Sequence, residues 1–199
     1  MNGNESATGG EDRILTIPNV ITLVRLAFLP VFVWSLSVTN QPITAGIILG
    51  VLGATDWVDG WVARRFHQVS NLGKILDPVA DRLLFFVSIL AIIVAGAAPI
   101  WFCIAVLVRE VVVAIATLIL AGLGARRIDV TWYGKAGTFG LMFAFPLFLL
   151  GSASWWGATL SMVLAWVSGV PGLACSYYAA GLYVPLGLTA LRHGRDNRD

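Results

Sequence analysis

The sequence predicts an all-α membrane protein: a polytopic bundle of six transmembrane helices with both termini in the cytoplasm. Three observations predict it. Of 199 residues, 58% are hydrophobic and 12% charged, with a mean hydropathy of +0.83, whereas a soluble domain is about a quarter charged. The charges are segregated, with no Asp, Glu, Lys or Arg in 26–55, 83–108 or 136–191, and such runs read as membrane spans. Arg64, Arg65, Lys74, Arg126, Arg127, Lys135, Arg192, Arg195 and Arg198 fall in loops or the tail on one side, while the opposite segments near 39–44, 95–99 and 151–157 hold no Lys or Arg. The excess of positive charge marks the cytoplasmic side.

The elements follow in order. Residues 1–13 are polar, with Glu5, Glu11 and Asp12 against Arg13, and read as a disordered cytosolic tail. A first helix over 14–38 has Thr16 as its N-cap and Pro18 in its first turn, and Thr39, Asn40, Gln41 and Pro42 break it. Further helices are expected over 43–63, 72–95 and 99–123. The run 136–191 is 56 residues, and one crossing takes about 20, so it crosses twice and turns at GSASWWG, 151–157. Pro171 and Pro185 are expected to kink the sixth helix. The membrane domain is therefore 14–191, followed by a basic tail, 192–199.

Composition also excludes functions. The net charge is +2, but the cations are scattered between spans, so no nucleic acid partner is expected. Cys103 and Cys175 lie inside apolar runs, where a thiol acts as a small hydrophobe. The chain has no internal repeat of the kind that builds transporters from inverted halves.

The chemistry concentrates in DWVDGWVARRFHQVSNLGKILDPVADR, 56–82. It places Asp56, Asp59, Asp77 and Asp81 at the cytoplasmic ends of two consecutive spans, where carboxylates are costly and functional by default. On a helix, Asp56, Asp59, Gly60 and Ala63 share one face, and Gly73, Asp77 and Asp81 share another, one turn apart. A short connection, 64–72, makes the two helices antiparallel neighbours. Four carboxylates so close raise one another's pKa unless cations hold them. A pair of divalent metals is the economical answer, and all-oxygen ligands favour magnesium, manganese or calcium, whose shells are typically completed by substrate phosphates. Gly60, Ala63 and Gly73 leave room for a phosphate-bearing ligand against the backbone, and Arg64, Arg65 and Lys74 can meet its charge. The same carboxylates also admit a divalent-cation channel or carrier, which would place them nearer the membrane midplane.

Residues 56–81 match DxxDGxxAR, eight residues, GxxxDxxxD at each position, and so resemble the CDP-alcohol phosphatidyltransferase family. The resemblance extends to Ile17, Pro18, Asn19, Thr22 and Arg25, to Arg109 and Glu110, and to Gly134 and Lys135. It implies a six-helix enzyme of the cytoplasmic membrane, usually a homodimer, with its active site facing the cytoplasm among membrane lipids. It implies transfer of the phosphatidyl group from CDP-diacylglycerol to the hydroxyl of a glycerol-headed acceptor, with release of CMP. Two Mg2+ ions, or Mn2+, would be held by Asp56, Asp59, Asp77 and Asp81, with Asp81 also the base. Gly60, Ala63, Arg64 and Gly73 would border the CDP-lipid, and Arg25, Arg109 and Lys135 are candidate contacts for the acceptor or its phosphate.

The acceptor is read from cations. Glycerol 3-phosphate is a phosphate monoester and needs dedicated Arg or Lys in a membrane cavity. Family members that use it look to have a second arginine two turns after the Arg-Glu pair and a second lysine two residues after the Gly-Lys lysine. Here those positions are Thr117 and Gly137. The stretch GKAGTFGLMFAFP, 134–146, instead resembles members that use phosphatidylglycerol, the expected acceptor, with glycerol 3-phosphate the alternative.

Overall fold

The computed structural model of the chain describes residues 17–66, 73–122 and 131–196, and the side chains of 19–55, 79–119 and 131–182. These residues form six helices and no strand: α1 (Ile17–Ser37), α2 (Pro42–Phe66), α3 (Gly73–Ala95), α4 (Ile100–Gly122), α5 (Trp132–Ser152) and α6 (Ala158–Asp196). Four stretches within them are long and apolar enough to cross a membrane: Asn19–Ser37, Ile100–Ile119, Trp132–Ser152 and Ala158–Leu182; α2 carries a shorter apolar stretch, Pro42–Thr55. Large apolar side chains such as Val94, Leu118 and Val167 lie exposed, as expected of helices whose outer faces meet acyl chains rather than water.

The breaks fall where turn chemistry demands. After α1 the amides of Val38 and Thr39 both bond to the Trp34 carbonyl, Gln41 N–H donates to Ser35 O at 2.9 Å, and the Thr39 hydroxyl donates to the same carbonyl. Asn40 takes φ +50° in this turn, a left-handed conformation that asparagine tolerates better than most residues. Pro42 then opens α2, where a missing N–H costs nothing. Gly96, with φ +65°, ends α3, the usual place for glycine. The expected N-cap Thr16 lies outside the described residues.

The chain divides into two compact units, Met1–Ala95 and Gly96–Asp199. In the first, α2 and α3 both pack on α1. The buried stripe of α1 runs Asn19, Thr22, Arg25, Leu29, Phe32, Leu36, the three-to-four spacing of one helix face. It is polar for its first three members and mainly apolar thereafter, with Ser35 buried beside Leu36.

In the second unit α5 and α6 pack backbone to backbone. A Cβ added to Gly140 would stand 2.8 Å from the Ser168 carbonyl oxygen, and one added to Gly137 would stand 2.3 Å from Ser176 Oγ and 2.9 Å from the Gly172 carbonyl oxygen. Small residues of this kind let apolar helices approach closely where no hydrophobic force drives them together. Gly140→Ala is expected to lower stability by about 1–2 kcal/mol, because the clash is with backbone that cannot rotate away; thermal unfolding in detergent measures it.

Phe102 of α4 sits at the centre of this unit, fully buried, with ring centroids 6.1, 5.4 and 5.8 Å from Phe145, Phe148 and Trp166. Tyr177 of α6 donates its hydroxyl to the Ala105 carbonyl at 2.8 Å, tying α6 to α4. The α5–α6 turn falls within 151–157, as the sequence predicts. Trp155 caps it, its indole N–H donating to Leu150 O at 2.7 Å, and its ring lies where a Cβ on Gly157 would be, 2.4 Å from the nearest ring carbon. α6 continues as helix through Pro171 and Pro185. Helix α5 starts earlier than expected, at Trp132, with Thr131 as its N-cap accepting from the Gly134 amide at 3.3 Å.

Candidate functional site

The first unit carries the acidic constellation. Asp56, Asp59, Gly60, Ala63 and Arg64 all lie in α2, and Gly73, Asp77 and Asp81 all lie in α3. The helical register that places Asp56 and Asp59 on one face and Asp77 one turn before Asp81 therefore holds along the backbone. Their helices share α1 as a packing partner. The side chains of Asp56, Asp59, Gly60, Ala63, Arg64, Gly73 and Asp77, and the connection between the two helices, lie outside the described residues.

Asp81 is described, and it meets a partner the sequence reading did not give it. Arg25 Nη1 donates to Asp81 Oδ1 at 2.7 Å, across 56 residues of sequence. The arginine side chain is 2% exposed and the aspartate 46% exposed, so the cation is buried while the aspartate stays half accessible. Arg25 was expected as an acceptor contact; the structure brings it to Asp81. Thr22 and Asn19, about one and two turns earlier on the same buried stripe, are also fully buried. Polar residues at positions 19, 22 and 25 inside an otherwise apolar helix are the signal that could have marked this face in advance.

The second unit holds the other two candidates. Arg109 of α4 is buried and forms an ion pair with the adjacent Glu110, and its Nε has no hydrogen-bond partner among the described residues. Lys135 lies in the first turn of α5 and is exposed, its amide bonded to Thr131 O at 3.2 Å. Thr117, also exposed, turns its hydroxyl back on its own helix, donating to Val113 O and Ala114 O at 2.9 Å. Gly137 is buried against Ser176 and Gly172, with no room for a side chain in that packing. Cys103 and Cys175 are both free thiols.

Comparison with known proteins agrees with the constellation. The profile of the CDP-alcohol phosphatidyltransferase family matches residues 15–170. The chain is 38% identical over 178 residues to the cardiolipin synthase (CMP-forming) of Streptomyces coelicolor, covering 87% of this chain and 83% of that protein. It is 36% identical over 151 residues to the CDP-diacylglycerol–glycerol-3-phosphate 3-phosphatidyltransferase of Bacillus subtilis, covering 69% of this chain and 78% of that protein. The protein of the same name from Shigella flexneri serotype 5b is 34% identical over 161 residues, covering 77% and 87%.

Proposed function

The chain belongs to the CDP-alcohol phosphatidyltransferase family, and from that premise we propose that it moves the phosphatidyl group of CDP-diacylglycerol to phosphatidylglycerol, forming cardiolipin and CMP. Transferase chemistry in a membrane follows from membership; the acceptor is the reading argued from the residues. The observation that carries it is Gly137. At a position where a second lysine would serve a phosphate monoester, the α5–α6 contact leaves no space for one, and Thr117 supplies a hydroxyl bonded to its own helix instead of a cation. The neutral glycerol head of phosphatidylglycerol needs no such cation. The higher identity and coverage with the Streptomyces cardiolipin synthase support the same acceptor.

Four carboxylates on two helices that share α1 offer all-oxygen donors, a set that suits magnesium or manganese. Asp56, Asp59, Asp77 and Asp81 are the residues to hold two such ions, which when bound offset the negative charge of the donor pyrophosphate. Gly60, Ala63 and Gly73 border the CDP-lipid and let its phosphates approach α2 and α3, with Arg64 adding positive charge. The acceptor hydroxyl oxygen bonds to the phosphatidyl phosphorus while the bond from that phosphorus to the CMP oxygen breaks. CMP leaves with the electron pair, and the hydroxyl proton passes to the Asp81 carboxylate, which stands partly open to the incoming alcohol. The enzyme works as a homodimer in the cytoplasmic membrane, crossing it six times, with this site at the cytoplasmic face where the Lys and Arg gather.

A second acceptor is favoured by one observation: the buried Arg109 Nε, without a hydrogen-bond partner among the described residues, is a donor suited to the phosphate of glycerol 3-phosphate. The test supplies purified protein with magnesium and CDP-diacylglycerol, offers phosphatidylglycerol or glycerol 3-phosphate separately, and identifies the product by mass spectrometry. Cardiolipin with CMP is expected. Phosphatidylglycerophosphate alone would move the assignment to the second acceptor, and no CMP with either would overturn both.

A further inference from the structure

The Arg25–Asp81 pair is asymmetric in a way that surface salt bridges are not. Its cation is 2% exposed and its carboxylate 46% exposed. Withdrawing a guanidinium into a helix bundle carries a desolvation cost, and α1 accepts that cost on the stripe where Asn19 and Thr22 are also buried, just before the stripe turns to Leu29, Phe32 and Leu36. A buried guanidinium is a rigid donor: its planar fork and the packing around it fix where its N–H groups point. The carboxylate it holds is therefore fixed in turn, with Oδ1 committed to Nη1 at 2.7 Å.

We propose that Arg25 is a positioning residue for Asp81, holding that carboxylate in one orientation so that the group receiving the hydroxyl proton is aimed before the acceptor arrives. This rests on the role for Asp81 given above. A positioning residue acts on the rate of the chemical step and leaves substrate binding alone. A misplacement of about 1 Å at a reacting group costs about 100-fold in rate. A lysine, with a single ammonium on a flexible stem, keeps the charge and loses the fork.

The test compares wild type, Arg25→Met and Arg25→Lys as full-length proteins in one detergent. It measures kcat, KM for each substrate, and the rise in unfolding temperature on adding magnesium with CDP-diacylglycerol. For Arg25→Met, kcat is expected to fall about 100-fold with both KM values within about threefold of wild type and the ligand-induced rise retained. Arg25→Lys is expected to recover about tenfold of that loss, and if Arg25→Met does not accumulate as folded protein, the lysine variant carries the test with a kcat about tenfold below wild type and the same unchanged KM values. An unchanged kcat overturns the proposal, as does a raised acceptor KM at constant kcat, which would make Arg25 a direct substrate contact. Loss of the ligand-induced rise overturns it in favour of a purely structural role. A wild type that releases no CMP fails the transfer reading itself, and an active wild type beside an unaffected Arg25→Met fails Arg25 alone.

Discussion

Asp81→Asn is expected to lower the rate of CMP release by about 10²–10⁴-fold, the range a positioned proton acceptor supplies, while the protein remains folded. Asparagine has almost the shape of aspartate and can still accept a hydrogen bond from Arg25, but it cannot take the hydroxyl proton and carries no charge for a divalent ion. Removing the counter-charge of the buried Arg25 guanidinium is expected to cost some stability as well, so the rate is read on the folded fraction. Asp77→Asn, one turn earlier in α3, is expected to suppress CMP release with a different signature: raising the magnesium concentration should restore part of the rate, because one of several ligands has been weakened rather than the base removed. Removing divalent ions from wild type with a chelator should stop CMP release, and adding magnesium should return it. CMP release at the wild-type rate from both variants would remove these residues from the chemistry. The control is thermal unfolding of each variant, which separates lost chemistry from lost fold.

Phe102→Ala is expected to destabilise the second unit by about 2–4 kcal/mol. The ring is wholly enclosed by Phe145, Phe148 and Trp166, and its tip lies 2.9 Å from where a Cβ on Gly169 would stand. Inside a bilayer the water-to-oil part of such a substitution shrinks, since lipid is as apolar as the core. What remains is the cavity, at about 24 cal/mol per Å3 of residual volume, and the lost dispersion contacts of a tightly packed ring. Unfolding by a denaturing detergent should show the loss for Phe102→Ala and a much smaller one for an exposed neighbour such as Ile104→Ala. Equal effects would mean that Phe102 is not the centre of this packing.

Much of the fold was legible because its signals are local. Charge-free runs, the break at Thr39 to Pro42 and the GSASWWG turn placed the helices, most ends falling within a few residues of the observed ones. The ends that moved most bound the last charge-free run, 136–191: α5 starts before it, at Trp132, and α6 runs past it to Asp196. A threonine N-cap at 131 precedes four residues that carry aromatic rings, glycine and lysine, which blurs the apolar pattern while leaving the helix intact. The spacing of Asp56, Asp59, Asp77 and Asp81 was equally legible, since helical register depends only on positions in one chain.

The pairing of Arg25 with Asp81 was not. It joins α1 to α3 across 56 residues, and whether a cation inside a helix snorkels to the interface or turns to a carboxylate depends on which helix faces meet. Gly137 shows the same division. In sequence it was a missing lysine; in the structure it is the place where α5 touches α6 so closely that Ser176 and Gly172 occupy the space of a side chain. By itself, then, the sequence determined the membrane class, the order of helices, the acidic motif and the family, because hydropathy, charge and helical period are properties of short stretches. Only tertiary structure decided the partner of the proposed base and the space available at position 137, because those follow from contacts between elements far apart in the chain.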